Sequence, residues 1–146
     1  MKTLHDPTCR ADIVRRVEVL RPDSERKWGK MSVDQMLWHV NDALALSLGD
    51  ITVPPEKLPI PRGLLKFVVL NLPWSKGAPT HSAFVAKRNY DFTAERARCL
   101  RLIDKVVSRE LQATWPEHPV FGRMTGGQVS RLHAKHLDHH LTQFGV

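Results

Sequence analysis

Four of the eight histidines in this 146-residue chain fall between positions 133 and 140, in the segment RLHAKHLDHHLTQF at residues 131 to 144. On a helix advancing about 100° per residue, with His133 set at zero, His140 lies near about −20° and His136 near about −60°. Val129, Leu137 and Phe144 occupy the same sector, so these three histidines share an apolar stripe, whereas His139 falls on its flank and is the weaker ligand candidate. His136 and His140 are four residues apart, the spacing that lets two imidazoles of one helix reach a single ion. A catalytic metal site adds a third protein ligand and keeps a position open for water or substrate. His39, in MSVDQMLWHVNDAL at residues 31 to 44, stands at the edge of the apolar sector made by Val33, Met36, Val40 and Ala43 and is the candidate third ligand. Three imidazoles suit zinc, nickel, iron or copper, while calcium and magnesium prefer oxygen donors. His133, three residues before His136, and Asp42, one turn after His39, are candidate proton handlers in a catalytic role. Spacing alone leaves the bland alternatives open: a titrating surface or hydrogen-bonded core imidazoles for the cluster, and a solvated helix residue for Asp42.

These side chains need helices to hold them. A first helix is expected from about Thr8 to Leu20, with Ile13, Val14, Val17 and Leu20 as its buried stripe and Pro22-Asp23 ending it. A second begins at Ser32, where Gln35 completes a capping box, and ends at Gly49. A third spans about Thr93 to Leu111, striped by Leu100, Ile103, Val107 and Leu111, with Trp115-Pro116 closing it. The histidine helix runs from Thr125 to Gln143. Between the second and third, Pro54, Pro55, Pro59, Pro61, Pro73 and Pro79 mark a long crossover, in which Leu64 to Leu70 forms a short helix and Ala83 to Val85 is briefly extended. Crossovers of that length inside a compact domain are usually lids or packing excursions. The expected architecture is all-α, a single domain over residues 1–146 built as a four-helix bundle with a long crossover. Trp28, Trp38, Trp74 and Trp115, beside helix ends or apolar stripes, read as core and crossover packing.

Composition excludes more than it selects. The most continuous apolar stretch, Leu64 to Leu72, is interrupted by Lys66 and Asn71 and is less than half of the roughly 20 residues needed to span a bilayer. The segment MKTLHDPTCRADIVRR has none of the apolar run of a secretory signal, and Cys9 and Cys99 make no CxxC, so a reducing cytoplasm is the expected location. The 22 Lys and Arg exceed the 15 Asp and Glu by 7, but they are scattered and alternate with acids. That pattern argues for a solvated surface and against a nucleic-acid partner. GxSxG, Walker A and GxGxxG motifs are absent, and Gly126-Gly127 lacks the Lys and Ser/Thr partners of a phosphate loop.

WGKMSVDQMLWH at residues 28 to 39, PWSKGAPT at 73 to 80, DFTAERARCLRLID at 91 to 104 and HPVFGRMTGGQVSRLHAKHLDHHLTQFG at 118 to 145 resemble a subfamily of the DinB/YfiT-like superfamily whose function is uncharacterised. The resemblance covers nearly the whole chain, and the ending HLDHHLTQFG is its most specific part. It implies a bundle of four helices with a long crossover and a divalent metal bound by His39, His136 and His140. It further implies a small-molecule substrate and a low-molecular-weight thiol activated for transfer or isomerisation, in a bacterial protein of stress-linked expression. A metal-dependent thiol transferase or hydrolase is therefore the expectation, with a non-catalytic metal-binding module its first rival; bundles of this size often pair through an exposed helix face, so a homodimer is a candidate state. Where many members follow the last ligand with Arg-Gly-Gln, this chain has Leu141-Thr142-Gln143, keeping the Gln alone.

Overall fold

Local capping chemistry decides where the helices start. In the computed structural model, which describes residues 2–146, α1 (Pro7–Val19) opens on Asp6, whose carboxylate accepts from the Cys9 N–H at 2.7 Å, with Pro7 in the first position, where no N–H is needed. In α2 (Val33–Leu48), Gln35 reaches back to accept from the Ser32 N–H at 3.0 Å, and Gly49 ends the helix at φ +82. Two residues beyond the capping Ser32, Asp34 accepts from the Tyr90 N–H at 2.7 Å and so pins the approach to α4 (Phe92–Ser108). α5 (Gly126–Gln143) opens on a Thr125–Gln128 capping box. The crossover carries α3 (Arg62–Asn71), slightly longer than the short helix expected there.

Two local expectations are corrected. Ser82–Phe84 is a 3-10 turn rather than an extended stretch, closed by the Phe84 N–H on the His81 carbonyl and by the His81 ring, which accepts from the Ala83 N–H at 3.0 Å. The helix expected to reach Leu111 stops at Ser108. There Arg109 turns extended, its guanidinium taking the carbonyls of Leu48 and Thr114 and lying over the Trp115 ring. Among the described residues the structure is all-helical, five α-helices with no strand, and an isolated bridge joins His118 and Gly122.

α2 packs against α4 and α5, α1 against α4 and α5, and α3 against α5. α2 is buried on most of its circumference, with Met36, Leu37, Val40 and Leu44 all inaccessible, so it is the helix around which the others assemble. Each such side chain contributes about 1.5–3 kcal/mol on leaving water. On the opposite side, Arg16 of α1 is buried and fully engaged: its guanidinium donates to Asp138 at 2.6 Å, to the Thr142 hydroxyl at 3.0 Å and to the Val146 carbonyl at 2.9 Å. That clamp fixes the last two turns of α5, which carry the histidines. No helix of the described residues is long and apolar enough to cross a membrane.

Gly126-Gly127 has a packing explanation. A Cβ at Gly126 would collide with the backbone of Leu111 and stand 2.6 Å from the Trp115 indole nitrogen, whereas at Gly127 the nearest atom is 3.9 Å away. Gly126→Ala is expected to destabilise the fold by about 1–3 kcal/mol through overpacking. Gly127→Ala is expected to be neutral or to stabilise by up to about 1 kcal/mol. Urea unfolding of both variants checks this; equal effects would remove the packing account.

Candidate metal centre

α2 and α5 bring His39, His136 and His140 to one place, with one ring nitrogen of each within 4.8 Å of the others. Ring centroids are 4.8 Å apart for His39–His136, 4.9 Å for His39–His140 and 4.8 Å for His136–His140, an almost equilateral set. Nε2 of His39 and Nε2 of His136 approach to 2.9 Å. His39 and His140 are buried and His136 is half-buried. Among the described residues this is the one group of three or more His, Cys, Asp or Glu side chains so placed.

The far nitrogens of two of these rings are held by protein. His39 donates from Nδ1 to the Phe84 carbonyl at 2.9 Å, delivered by the 3-10 turn. His140 Nδ1 lies 2.8 Å from Gln143 Oε1. The Gln143 amide cannot be the other way round, because its nitrogen donates to the Trp28 carbonyl at 2.8 Å. That contact needs room beside it: at Gly29, with φ +83, a Cβ would stand 2.5 Å from the Gln143 amide nitrogen. The same loop is tied again by the Lys27 N–H to the Gln143 carbonyl at 2.7 Å. Partners of this kind orient metal-ligating histidines and fix which nitrogen faces the ion.

Burial keeps the rings uncharged. Desolvation, assisted by the neighbouring imidazoles, holds His136 well below the ordinary histidine range, brings His140 down to about 3 and lowers His39 despite the Phe84 carbonyl and the field of Asp42. Neutral imidazole is the form that binds metal. Three neutral nitrogen donors converging at this spacing fit a divalent transition-metal ion. Cysteine chemistry is disfavoured by the same physics, since burial raises the Cys9 thiol and pushes Cys99 up to about 12.

The other expected residues are placed elsewhere. Asp42 is paired with Arg98 at 2.9 Å, and that guanidinium also meets Glu95, so its carboxylate is engaged by α4 rather than turned to the triad. His133 is fully buried, with Nε2 2.7 Å from the Ser47 hydroxyl and Nδ1 without a partner, and it stands outside the triad. His139 likewise lies outside it, its ring against Trp28 at 5.8 Å and Trp74 at 5.6 Å. Trp74 also meets the His136 ring at 5.7 Å, and its indole N–H donates to the Val69 carbonyl at 2.7 Å. Trp28 and Trp74 therefore wall the histidine cluster, beyond the packing role expected of them. Trp38 stacks on Tyr90, and Trp115 is buried. Phe84, Gln143 and the Trp28-Gly29 loop were missed as supports. Gln143, three residues after His140 on one helix, carried the one legible signal.

Buried neutral histidines also set a pH dependence. His133 is lowered to about 3 and His118 to about 4, chiefly by burial, against an ordinary value of 6.5. Their folded-state values lie below their unfolded ones, so below about pH 6.5 the unfolded chain binds more protons. Stability of the metal-free protein is thus expected to be level between about pH 7 and 8, below the range where the unfolded chain's thiols ionise, and to fall steadily from about 6.5 to 5, before the carboxylates titrate. Urea midpoints across that range test this; a midpoint constant down to pH 5 would contradict the burial of neutral rings.

No curated protein and no solved structure matches the chain. A family model described as "Protein of unknown function (DUF1569)" matches residues 8–145, a span that takes in all three triad histidines, Gln143 and the Trp28-Gly29 loop. The chain belongs to the DUF1569 family.

Proposed function

We propose that this protein is a metal-dependent enzyme acting on a small molecule, with a divalent ion held by His39, His136 and His140 in a four-helix bundle of DinB/YfiT-like type. The observation that carries the reading is the convergence of three neutral imidazole nitrogens within 4.8 Å, two of the rings being anchored from behind by Phe84 and Gln143. Random surface histidines have no such supports, and the 2.9 Å approach of Nε2 of His39 to Nε2 of His136 sets both nitrogens within reach of one ion. A divalent ion on such donors supplies a Lewis acid that lowers the pKa of a thiol or water near it.

The chain's own residues account for the rest of the reading. Trp74 lies against the His136 ring and, with Trp28, against His139 beside the triad, so aromatic surface flanks the place of the ion. Lys76 lies over the Trp28 ring at 4.8 Å and brings positive charge suited to an anionic group such as a thiolate, whereas Lys135, 5.5 Å from the Trp74 ring, is committed to the Val69 and Leu72 carbonyls. The resemblance to thiol-using relatives supports thiol transfer as the reaction, with hydrolysis second. No step is assigned to Asp42 and His133, which Arg98 and Ser47 engage.

Tag-free protein exposed to zinc, nickel or ferrous iron and then dialysed is expected to retain a single ion per chain by elemental analysis. His39→Ala and His140→Ala are expected to weaken retention by at least about 100-fold, more than loss of an outer partner does. Wild-type protein that retains no metal under these conditions would overturn the reading. A panel of cellular thiols with electrophilic acceptors tests turnover, and metal retention without any metal-dependent rate would make the protein a binding module.

A further inference from the structure

We propose that His39 and His140 are held in the ligand-ready tautomer before any ion arrives while His136 is held in the opposite one, so that metal capture relocates one proton on the His136 ring. This deepens, and rests on, the metal reading of the triad. It follows from bookkeeping of donors and acceptors. A carbonyl oxygen accepts and never donates, so the proton of neutral His39 is on Nδ1, facing Phe84, and its Nε2 carries a lone pair. Gln143 gives its N–H to the Trp28 carbonyl and therefore turns its own oxygen to His140, so the His140 proton is on Nδ1 as well. Both rings then present bare Nε2 atoms to the centre.

His136 cannot do the same in the metal-free chain. Its Nε2 is 2.9 Å from the bare Nε2 of His39, and two lone pairs at that separation would repel, so the hydrogen of that contact is supplied by His136. The hydrogen bonds of the described residues give His136 Nδ1 no protein partner, and the ring is half-buried, within reach of water. On capture the ring loses the Nε2 proton to water and gains one from water at Nδ1. The ring stays neutral and the exchange releases no net proton. His136 is the adjustable ligand, and Gln143 is a positioning residue that keeps His140 from adopting the same off-state.

The test uses the full chain, histidine-15N-labelled and stripped of metal at pH 8, read by long-range 1H–15N correlation before and after zinc. Expected are Nδ1–H signatures for His39 and His140 throughout, and a change of His136 from Nε2–H to Nδ1–H with zinc. Nδ1–H on His136 before zinc, or Nε2–H on His39 or His140, would overturn the proposal. Gln143→Leu is expected to mix the His140 tautomers in the metal-free chain and to weaken zinc binding about 10–100-fold. Gln143→Glu, which keeps the acceptor toward His140 but loses the N–H to the Trp28 carbonyl, is expected to be less stable and yet to retain Nδ1–H, which separates positioning from stability; mixed His140 tautomers in the folded Glu variant would overturn the role of Gln143, and this variant serves alone should the Leu variant not fold. An unmixed His140 in a folded Leu variant removes the role of Gln143. Imidazole signals that ignore zinc overturn the metal reading, and capture with it, even where the metal-free tautomers are as stated.

Discussion

Burying several imidazoles against one another is the constraint the rest of the structure is arranged around. A neutral ring has one donor and one acceptor, and each must find a partner or leave a buried polar atom costing about 1–3 kcal/mol. Between α2 and α5 three such rings meet, and their nitrogens are shared out: two to Phe84 and Gln143, and a facing pair between His39 and His136. The supports come from the Trp28 loop, the turn at residues 82–84 and the last turn of α5, segments that are distant in sequence. A metal ion would replace the nitrogen–nitrogen hydrogen bond with coordination, so the arrangement that satisfies the rings without an ion is also the one that receives it.

The helical core supplies the rigidity this needs. His39 sits on the most buried helix of the protein, where neighbouring Met36 and Val40 leave its backbone no freedom to retreat. The two histidines of α5 lie on turns clamped by Arg16 through Asp138 and Thr142, opposite the face that carries them. Breaking that clamp would loosen the site without touching a ligand, because a buried guanidinium left without its carboxylate is costly.

The triad was legible in the sequence because its spacing is a property of one helix. His136 and His140 are neighbours on any α-helix, and the apolar stripe says which way they face. His39 needed a second helix and an apolar edge, both visible in the three- and four-residue spacing of Val33, Met36 and Val40. What could not be read were partners set by tertiary contact. Asp42 looks free one turn from His39 until Arg98, 56 residues away, takes it. His133 shares the stripe of His136, but the stripe is wide, and its far edge faces Ser47 of α2 rather than the triad. The Gln143–Trp28 bond spans 115 residues and was foreshadowed by nothing more than a glycine beside a tryptophan. The all-helical class was legible for a different reason, that caps and stripes are local; the extended reading of Ala83 to Val85 failed because a three-residue segment has no period to detect.

The long crossover, odd for a compact domain, has its explanation in the same site. Two helices bring the three imidazoles together, but the acceptor for His39 Nδ1 comes from outside them. An irregular segment has carbonyls to spare, and the crossover provides one at Phe84 after passing Trp74 over His136 and His139. To do both it must travel from the outer side of α5, where α3 packs and where Lys135 fastens the Val69 and Leu72 carbonyls, back to α2. A tight hairpin between α2 and α4 would leave His39 without its orienting partner and take Leu70 and Phe84 out of the buried set. The length of the connection serves the histidine centre and the core together, and the prolines that fill it limit the disorder such a length would otherwise bring.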